Sequence, residues 1–152
     1  MQGRIHGVVD DTIANSVLVG GLVATPILGL WGLGFIVAGV FSRFVSPDFD
    51  IADVTVESKH KVYRLNWFLG MLWEVYWLPY GLLNRHRGRS HKWLGTVERC
   101  LYLYWLPMLS FYQIGIQYPY LQGTILLFWL AVFIGHGVVD RAHVRLDRMR
   151  YF

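Results

Sequence analysis

Histidine and aspartate residues are concentrated at the edges of two long uncharged segments of this 152-residue chain. Segments 12–42 and 101–135 contain no Asp, Glu, Lys, Arg or His. Imidazole and carboxylate groups together suit zinc, manganese and iron. If each uncharged segment folds as a helical hairpin, all the candidate ligands lie at one end of the bundle. These candidates are His6, Asp10, Asp48, Asp50, His86, His91, His136, Asp140 and His143.

The strongest local pattern is GHGVVDRAH, in which His136, Asp140 and His143 are spaced i, i+4, i+7. This spacing places the three side chains on one stripe of a helix. Ionisable groups near the end of an apolar helix are costly to bury and are usually functional. The alternative is a polar helix end, where the C-terminal dipole favours histidine.

Two further motifs are weaker when each is taken alone. His6 and Asp10 repeat the H-x3-D spacing at the start of the first predicted helix, where aspartate also suits the positive dipole. Asp48 and Asp50 alternate in SPDFD, so an extended segment would direct both carboxylates at one cation. They could equally make a loop soluble.

The segment NRHRGRSHKW is the fourth motif. Gly88 predicts a turn, across which His86 and His91 could converge. Arg87 and Arg89 are candidates for holding a phosphate or a lipid headgroup. The alternative is a basic loop beside a membrane.

The composition favours a membrane protein over a soluble domain. Hydrophobic residues make up 55% of the chain and charged residues 16%, whereas soluble domains are about one quarter charged. Because Cys100 is the only cysteine, an intrachain disulfide and a cysteine-based zinc site are excluded. The net charge is +4, and the basic residues adjoin membrane-length apolar segments. They predict contact with anionic lipid and argue against nucleic acid as a partner.

We predict an all-α fold: an integral membrane helical bundle of two helical hairpins plus an interfacial helix, forming one domain over residues 1–152. A single helix over 12–42 would be about 46 Å long, against a hydrocarbon core of about 30 Å. Pro26 therefore predicts a break between helices at 7–25 and 27–45. One tilted span over the whole segment is the competing interpretation.

The remaining elements follow from aromatic residues and turn signals. Residues 46–61 are polar and are predicted to form a loop. Residues 62–83 are rich in Trp and Tyr, which predicts an interfacial helix broken near Pro79. The second hairpin is predicted to comprise helices at 93–113 and 121–145.

In this topology neither far-side turn carries Lys or Arg, and all fourteen lie on the other side. The positive-inside rule then places the charged face in the cytoplasm. The predicted location is the bacterial inner membrane or its equivalent, with the lipid bilayer as partner.

The motifs, in this order, resemble bacterial metal-binding membrane proteins, including YdjM-like membrane-bound metal-dependent hydrolases. The residues that carry the resemblance are GRIH at 3–6, PDFD at 47–50, HRGRSH at 86–91, and His136 with Asp140. The resemblance covers most of the chain. Lys92 departs from it, because a small or apolar residue is more usual after the second histidine of the third motif.

The resulting hypothesis is metal-assisted hydrolysis of a phosphoester or lipid-derived substrate at the cytoplasmic face. Zinc is the first expectation for the divalent transition metal, with manganese or iron as alternatives. Asp50 could also be the catalytic general base. Asp10, His86 and His143 are expected to orient the ligands or to replace one of them. The expected metal ligands are His6, Asp48, Asp50, His91, His136 and Asp140.

The alternative function is that of a non-catalytic membrane subunit in a larger assembly. The His and Asp residues would then form a structural metal site or a polar cluster that holds the segments together. A closed ligand shell with no position for water would favour this alternative.

Overall fold

The computed structural model describes residues 2–45, 57–83 and 92–149. The predicted all-α class is confirmed for these residues, which form six α-helices and one 3-10 turn at Pro119–Leu121. The helices are α1 Gln2–Leu28, α2 Leu30–Phe41, α3 Glu57–Leu65, α4 Trp67–Leu83, α5 Trp93–Gln117 and α6 Gln122–Met149.

Helices α1 and α2 form an antiparallel hairpin whose backbones touch at glycines. A Cβ atom on Gly39 would lie 2.7 Å from the backbone nitrogen of Leu18, and one on Gly21 would lie 2.8 Å from the carbonyl oxygen of Gly32. Small residues at such crossings let two helices approach closely. Segment 12–42 is therefore a hairpin and not one tilted span.

The turn of this hairpin lies at Gly29, and the predicted break at Pro26 is wrong. Helix α1 continues through Pro26 to Leu28, and the Gly29 nitrogen still donates to the Thr25 carbonyl at 2.8 Å. Gly29 has a φ of 56°. Glycine adopts this left-handed conformation without a Cβ clash, so the chain reverses there.

The predicted break near Pro79 is also wrong, because Pro79 lies inside α4. The chain breaks earlier, at Asn66, between α3 and α4. The Asn66 side-chain oxygen accepts hydrogen bonds from the backbone nitrogens of Phe68 at 2.9 Å and Leu69 at 3.1 Å. An asparagine in this position caps the start of a helix. Residues 57–61, predicted as loop, belong to α3.

Helix α6 runs parallel to α2 and antiparallel to α5. A Cβ on Gly34 would lie 2.6 Å from the Phe128 carbonyl oxygen, and one on Gly135 would lie 2.5 Å from the Ala38 Cβ. Early residues of α2 thus meet early residues of α6. The starts of α1 and α5 and the ends of α2 and α6 lie at one end of the bundle, which we call the polar end. The turns at Gly29 and Pro119–Leu121 lie at the opposite turn end.

An apolar cluster and a pair of hydrogen bonds stabilise the α5 side of the bundle. Cys100, Tyr104, Trp129 and Val132 pack between α5 and α6. Helix α4 is held against α5 by reciprocal hydrogen bonds: the Tyr76 hydroxyl donates to the Tyr102 carbonyl at 2.5 Å, and the Tyr102 hydroxyl to the Tyr76 carbonyl at 2.6 Å. These bonds position α4 beside the first half of α5.

Among the described residues, two helical segments are long and apolar enough to cross a membrane. They are Asp11–Leu28 and Pro119–Arg145. Only 11% of the first segment is buried within the molecule. Its length and composition are compatible with a membrane location.

Candidate metal centre

The α6 stripe of His136, Asp140 and His143 lies in the interior of the bundle. These residues are 2%, 4% and 3% exposed. Helix α2 packs closely against the residues just before His136, and α5 crosses the same face of α6. Burial of three ionisable side chains is costly unless polar partners surround them.

The imidazole of His136 lies between two hydroxyl groups. Ser42 Oγ, at the end of α2, is 3.0 Å from Nδ1, and Tyr104 Oη, on α5, is 2.5 Å from Nε2. A neutral imidazole has one N–H donor and one acceptor nitrogen, so one hydroxyl donates while the other accepts. The two contacts fix the ring plane, and a metal bound at either nitrogen would replace one hydroxyl.

The carboxylate of Asp140 is held by the first turns of α5. Its Oδ2 atom accepts a hydrogen bond from Thr96 Oγ1 at 2.8 Å and pairs with the guanidinium of Arg99. Arg99 is 2% exposed and also interacts with Tyr80 on α4. Each buried charge is thereby compensated by the other, and the Thr96 hydroxyl donates to the carboxylate and accepts from the guanidinium.

These side chains converge from three helices into one group, which we call the buried polar cluster. Helix α2 contributes its last turn, α5 its first three turns, and α6 the predicted stripe. Its hydrogen-bonded members are Ser42, Thr96, Arg99, Tyr104, His136 and Asp140. His143 is buried on the same α6 stripe.

The structure describes only part of the predicted ligand set. His136, Asp140 and His143 come together on α6. His6 and Asp10 lie in the first turns of α1, at the polar end, and their side chains lie outside the described part. Asp48, Asp50, His86, Arg87, Arg89 and His91 also lie outside the described residues.

Within residues 2–45, 57–83 and 92–149, no group of three or more His, Cys, Asp or Glu side chains is arranged to hold a metal. On their own, the α6 donors therefore do not form a metal site within the described residues. Imidazole with carboxylate is a donor combination that suits zinc, manganese and iron. A metal site that included His136 and Asp140 would need further ligands.

Sequence analysis missed four members of the cluster: Ser42, Thr96, Arg99 and Tyr104. A signal for one pair was present, because Arg99 and Asp140 lie just outside the two ends of the uncharged segment 101–135. A charge at the edge of an apolar helix needs a partner, and the hairpin brings these two edges together.

Polar contacts of α3 lie at the polar end of the bundle, nearer the surface than the buried polar cluster. Lys61 Nζ lies 2.5 Å from Asp11 Oδ1 on α1. The Tyr63 hydroxyl donates to Glu74 Oε2 on α4 at 2.6 Å. This hydrogen bond, aided by desolvation and by the negative charge of Glu74, raises the pKa of Tyr63 above its ordinary 10.0.

Fold and site together define an all-helical protein with a buried imidazole–carboxylate cluster at one end. Residues 2–140 match the model of a family described as Uncharacterized metal-binding protein (DUF2227). The chain belongs to this family. Metal binding, predicted from the motifs, is thus supported at the level of the family, whose description specifies neither the metal nor a reaction. No significant match was found to a curated protein or to a solved structure.

Proposed function

We propose that this chain is a membrane-embedded metal-binding protein that holds a divalent transition metal at the polar end of its bundle. The observation that carries the proposal is the stripe of His136, Asp140 and His143. It is buried at the polar end, where α1 and α5 begin and α2 and α6 end, and each of the four motifs is adjacent in the chain to one of these helix ends or part of it. Membership of a metal-binding family supports the same conclusion.

The proposed membrane location rests on the surface of the hairpins. Val23 and Ile27 of α1 are 70% and 83% exposed, as expected of side chains that face lipid. Both turns at the turn end lack Lys and Arg, so the positive-inside rule places the polar end in the cytoplasm. Helix α4, which carries five aromatic residues from Trp67 to Trp77, would lie at the interface.

In this proposal α6 supplies His136 and Asp140 as ligands. A metal on one imidazole nitrogen would displace either Ser42 or Tyr104, and the remaining hydroxyl would orient the ring. Thr96 and Arg99 would orient the carboxylate, the task that outer partners perform in metal sites. The other proposed ligands are His6, Asp48, Asp50 and His91, with Asp10, His86 and His143 as alternates. Zinc is proposed first, with manganese and iron as alternatives.

We further propose that the site hydrolyses a phosphoester or a lipid-derived ester. A bound divalent metal supplies a water of lowered pKa and polarises the bond to be cleaved. Asp50 would accept a proton from that water. Arg87 and Arg89 would bind the anionic part of the substrate, since guanidinium groups pair with phosphate in two parallel hydrogen bonds. These three roles are proposed from the sequence motifs.

One observation favours a second candidate, a non-catalytic membrane subunit. Both nitrogens of His136 are already bonded to hydroxyls, and Asp140 is paired with Arg99. Because these polar groups already have partners, the network can hold α2, α5 and α6 together without taking part in catalysis. In this case the metal, or the network alone, would be structural.

Metal content measured by inductively coupled plasma mass spectrometry on detergent-purified protein tests the proposal. We expect about one or two equivalents of transition metal in the wild type. The His136→Ala and Asp48→Ala variants should lose it. The matched control is His60→Ala, because His60 is an exposed histidine on α3 and should leave the metal content unchanged.

Two outcomes would overturn this function. One is well-folded wild-type protein without metal, and the other is full retention of metal in both variants. Hydrolysis of a generic phosphodiester, bis-p-nitrophenyl phosphate, then separates the two candidates. Metal-dependent turnover that Asp50→Asn abolishes would support catalysis, and metal without turnover would support the structural role.

A further inference from the structure

A cavity of about 400 Å³ lies between α5 and α6 toward the turn end, away from the buried polar cluster. This volume lies within the range of small-molecule sites, roughly 300–1,000 Å³. Its walls include Met108, Phe111, Ile125 and Trp129. The proposed metal chemistry does not use it.

Among the residues that the structure describes, the cavity lining contains no ionisable acid or base other than the phenol of Tyr112. A charged or strongly polar ligand would find no counter-charge from these residues and would lose its hydration. The cavity therefore suits a hydrocarbon. It is partly open to the surface, so a ligand can enter it.

Polar and apolar lining residues occupy different levels of the cavity. Gln122 is the first residue of α6, and its Nε2 donates to the Gly115 carbonyl on α5 at 3.1 Å. Trp129 lies seven residues further along α6, which is about 10 Å deeper at 1.5 Å per residue. The side-chain amide of Gln122 thus lies near the turn end, where tyrosines flank the turn. The ring of Trp129 would lie deeper, at the level of the lipid hydrocarbon chains.

The surface around the cavity opening is continuous with the proposed lipid-facing surface. Tyr112 and Leu126 line the cavity and are themselves 64% and 69% exposed. An acyl chain that leaves the cavity would therefore continue along apolar side chains. A soluble ligand would have to cross the same apolar surface before it could bind.

We propose that this cavity binds one acyl chain of a bilayer phospholipid, with the headgroup at the turn end. The proposal rests on the membrane location proposed above, and it is independent of the metal. Moving an acyl chain from lipid into the cavity gains little hydrophobic free energy, because lipid is itself apolar. The site therefore holds its chain by packing against rigid aromatic walls.

Photo-crosslinking tests the site. The protein is reconstituted in phosphatidylcholine vesicles containing a phosphatidylcholine with a diazirine in its acyl chain, and labelled peptides are mapped by mass spectrometry. We expect labelling of the cavity residues on α5 and α6 to exceed labelling of the exposed α1 face several-fold.

The variant Gly115→Leu fills the cavity and should reduce this labelling several-fold. A Cβ on Gly115 would lie 3.4 Å from Gln122 Cγ and 3.7 Å from Ile125 Cδ1, so a longer side chain projects into the space. Gly123→Leu is the matched control, because a Cβ there meets nothing within 4 Å. Leu126→Trp, on the exposed side of the cavity, repeats the test in case Gly115→Leu does not fold.

Equal labelling of the cavity and the α1 face would overturn the proposal, as would undiminished labelling in both folded filling variants. Crosslinks between two copies of the chain through this cavity would also overturn it, since a protein segment would then be the occupant. The metal content of Gly115→Leu separates this test from the proposed function. It should remain at the wild-type value, whereas His136→Ala should lose metal and keep the lipid labelling.

Discussion

The buried polar cluster and the surface contacts of α3 use the same chemistry at two levels of burial. Each region contains a cation paired with an aspartate and a tyrosine bonded to a titratable group. The Arg99 and Asp140 side chains are 3% and 6% exposed, whereas those of Lys61 and Asp11 are 17% and 40% exposed. Likewise Tyr104 bonds to His136 in the interior, and Tyr63 bonds to Glu74 near the surface.

The two regions contain similar contacts, but their burial determines how much each contact contributes to the stability of the fold. A charge pair in contact with water gains little, because each partner keeps a good alternative in the solvent. A buried pair has no such alternative, so removing one member leaves the other without compensation. The Arg99–Asp140 pair should therefore determine whether α5 and α6 stay together, and the Lys61–Asp11 pair should not.

The largest expected effect is that of Arg99→Met. This change keeps most of the side-chain volume but leaves the Asp140 carboxylate buried without its ion-pair partner, while the Thr96 hydroxyl still donates to it. We expect a loss of about 3–5 kcal/mol in the free energy of unfolding in detergent. Lys61→Met is the matched control and should cost about 0–1 kcal/mol. Denaturant titration followed by far-ultraviolet circular dichroism measures both.

A double variant sharpens this result. In Arg99→Met/Asp140→Leu no charge remains, so much of the lost stability should return, as it does when a buried pair is replaced as a unit. Equal losses for Arg99→Met and Lys61→Met would show that burial does not distinguish the two pairs. The comparison would then fail.

A smaller effect is expected for Tyr104→Phe, which removes one hydroxyl from His136. The Nε2 atom of His136 then loses its partner but remains buried, and leaving it unbonded should cost about 1–3 kcal/mol. The ¹⁵N chemical shifts of the His136 ring should also change, because its tautomer is no longer set from both sides. Tyr102→Phe is the matched α5 control, since Tyr102 bonds to a backbone carbonyl and not to the histidine. An unchanged His136 spectrum in Tyr104→Phe would contradict this assignment.

The α6 stripe and the hairpin over 12–42 could be predicted because both depend on local spacing. His136, Asp140 and His143 share a face at any register of the neighbouring helices. The length of segment 12–42 already argued for a reversal. The position of that reversal was harder to predict, because Pro26 is tolerated within α1 and the chain instead turns at Gly29, which adopts the left-handed conformation. Proline restricts a helix, but glycine decides where a backbone can turn sharply.

The partners of His136 could not be predicted in the same way. Ser42 reaches the imidazole because α2 runs parallel to α6, with Gly34 close to Phe128 and Gly135 close to Ala38. Tyr104 reaches it from the antiparallel helix α5. This register is a property of three packed helices and leaves no spacing pattern in the chain. The ion pair of Arg99 and Asp140 was accessible in principle, since a hairpin over 101–135 places its two charged borders side by side.

The smallest expected effect is at Tyr63, where the surface contact should alter titration more than stability. The Glu74 carboxylate accepts the Tyr63 hydrogen and favours the neutral phenol, which raises the pKa of Tyr63 in the folded protein. This stabilisation is fully present below the unfolded pKa near 10.0 and is lost as the pH rises through the folded value. Difference titration at the tyrosinate absorbance, wild type minus Tyr63→Phe, should give a midpoint above 10.0, and Glu74→Gln should lower it. A midpoint that Glu74→Gln leaves unchanged would show that the carboxylate is not the cause, and the surface half of the comparison would need another explanation.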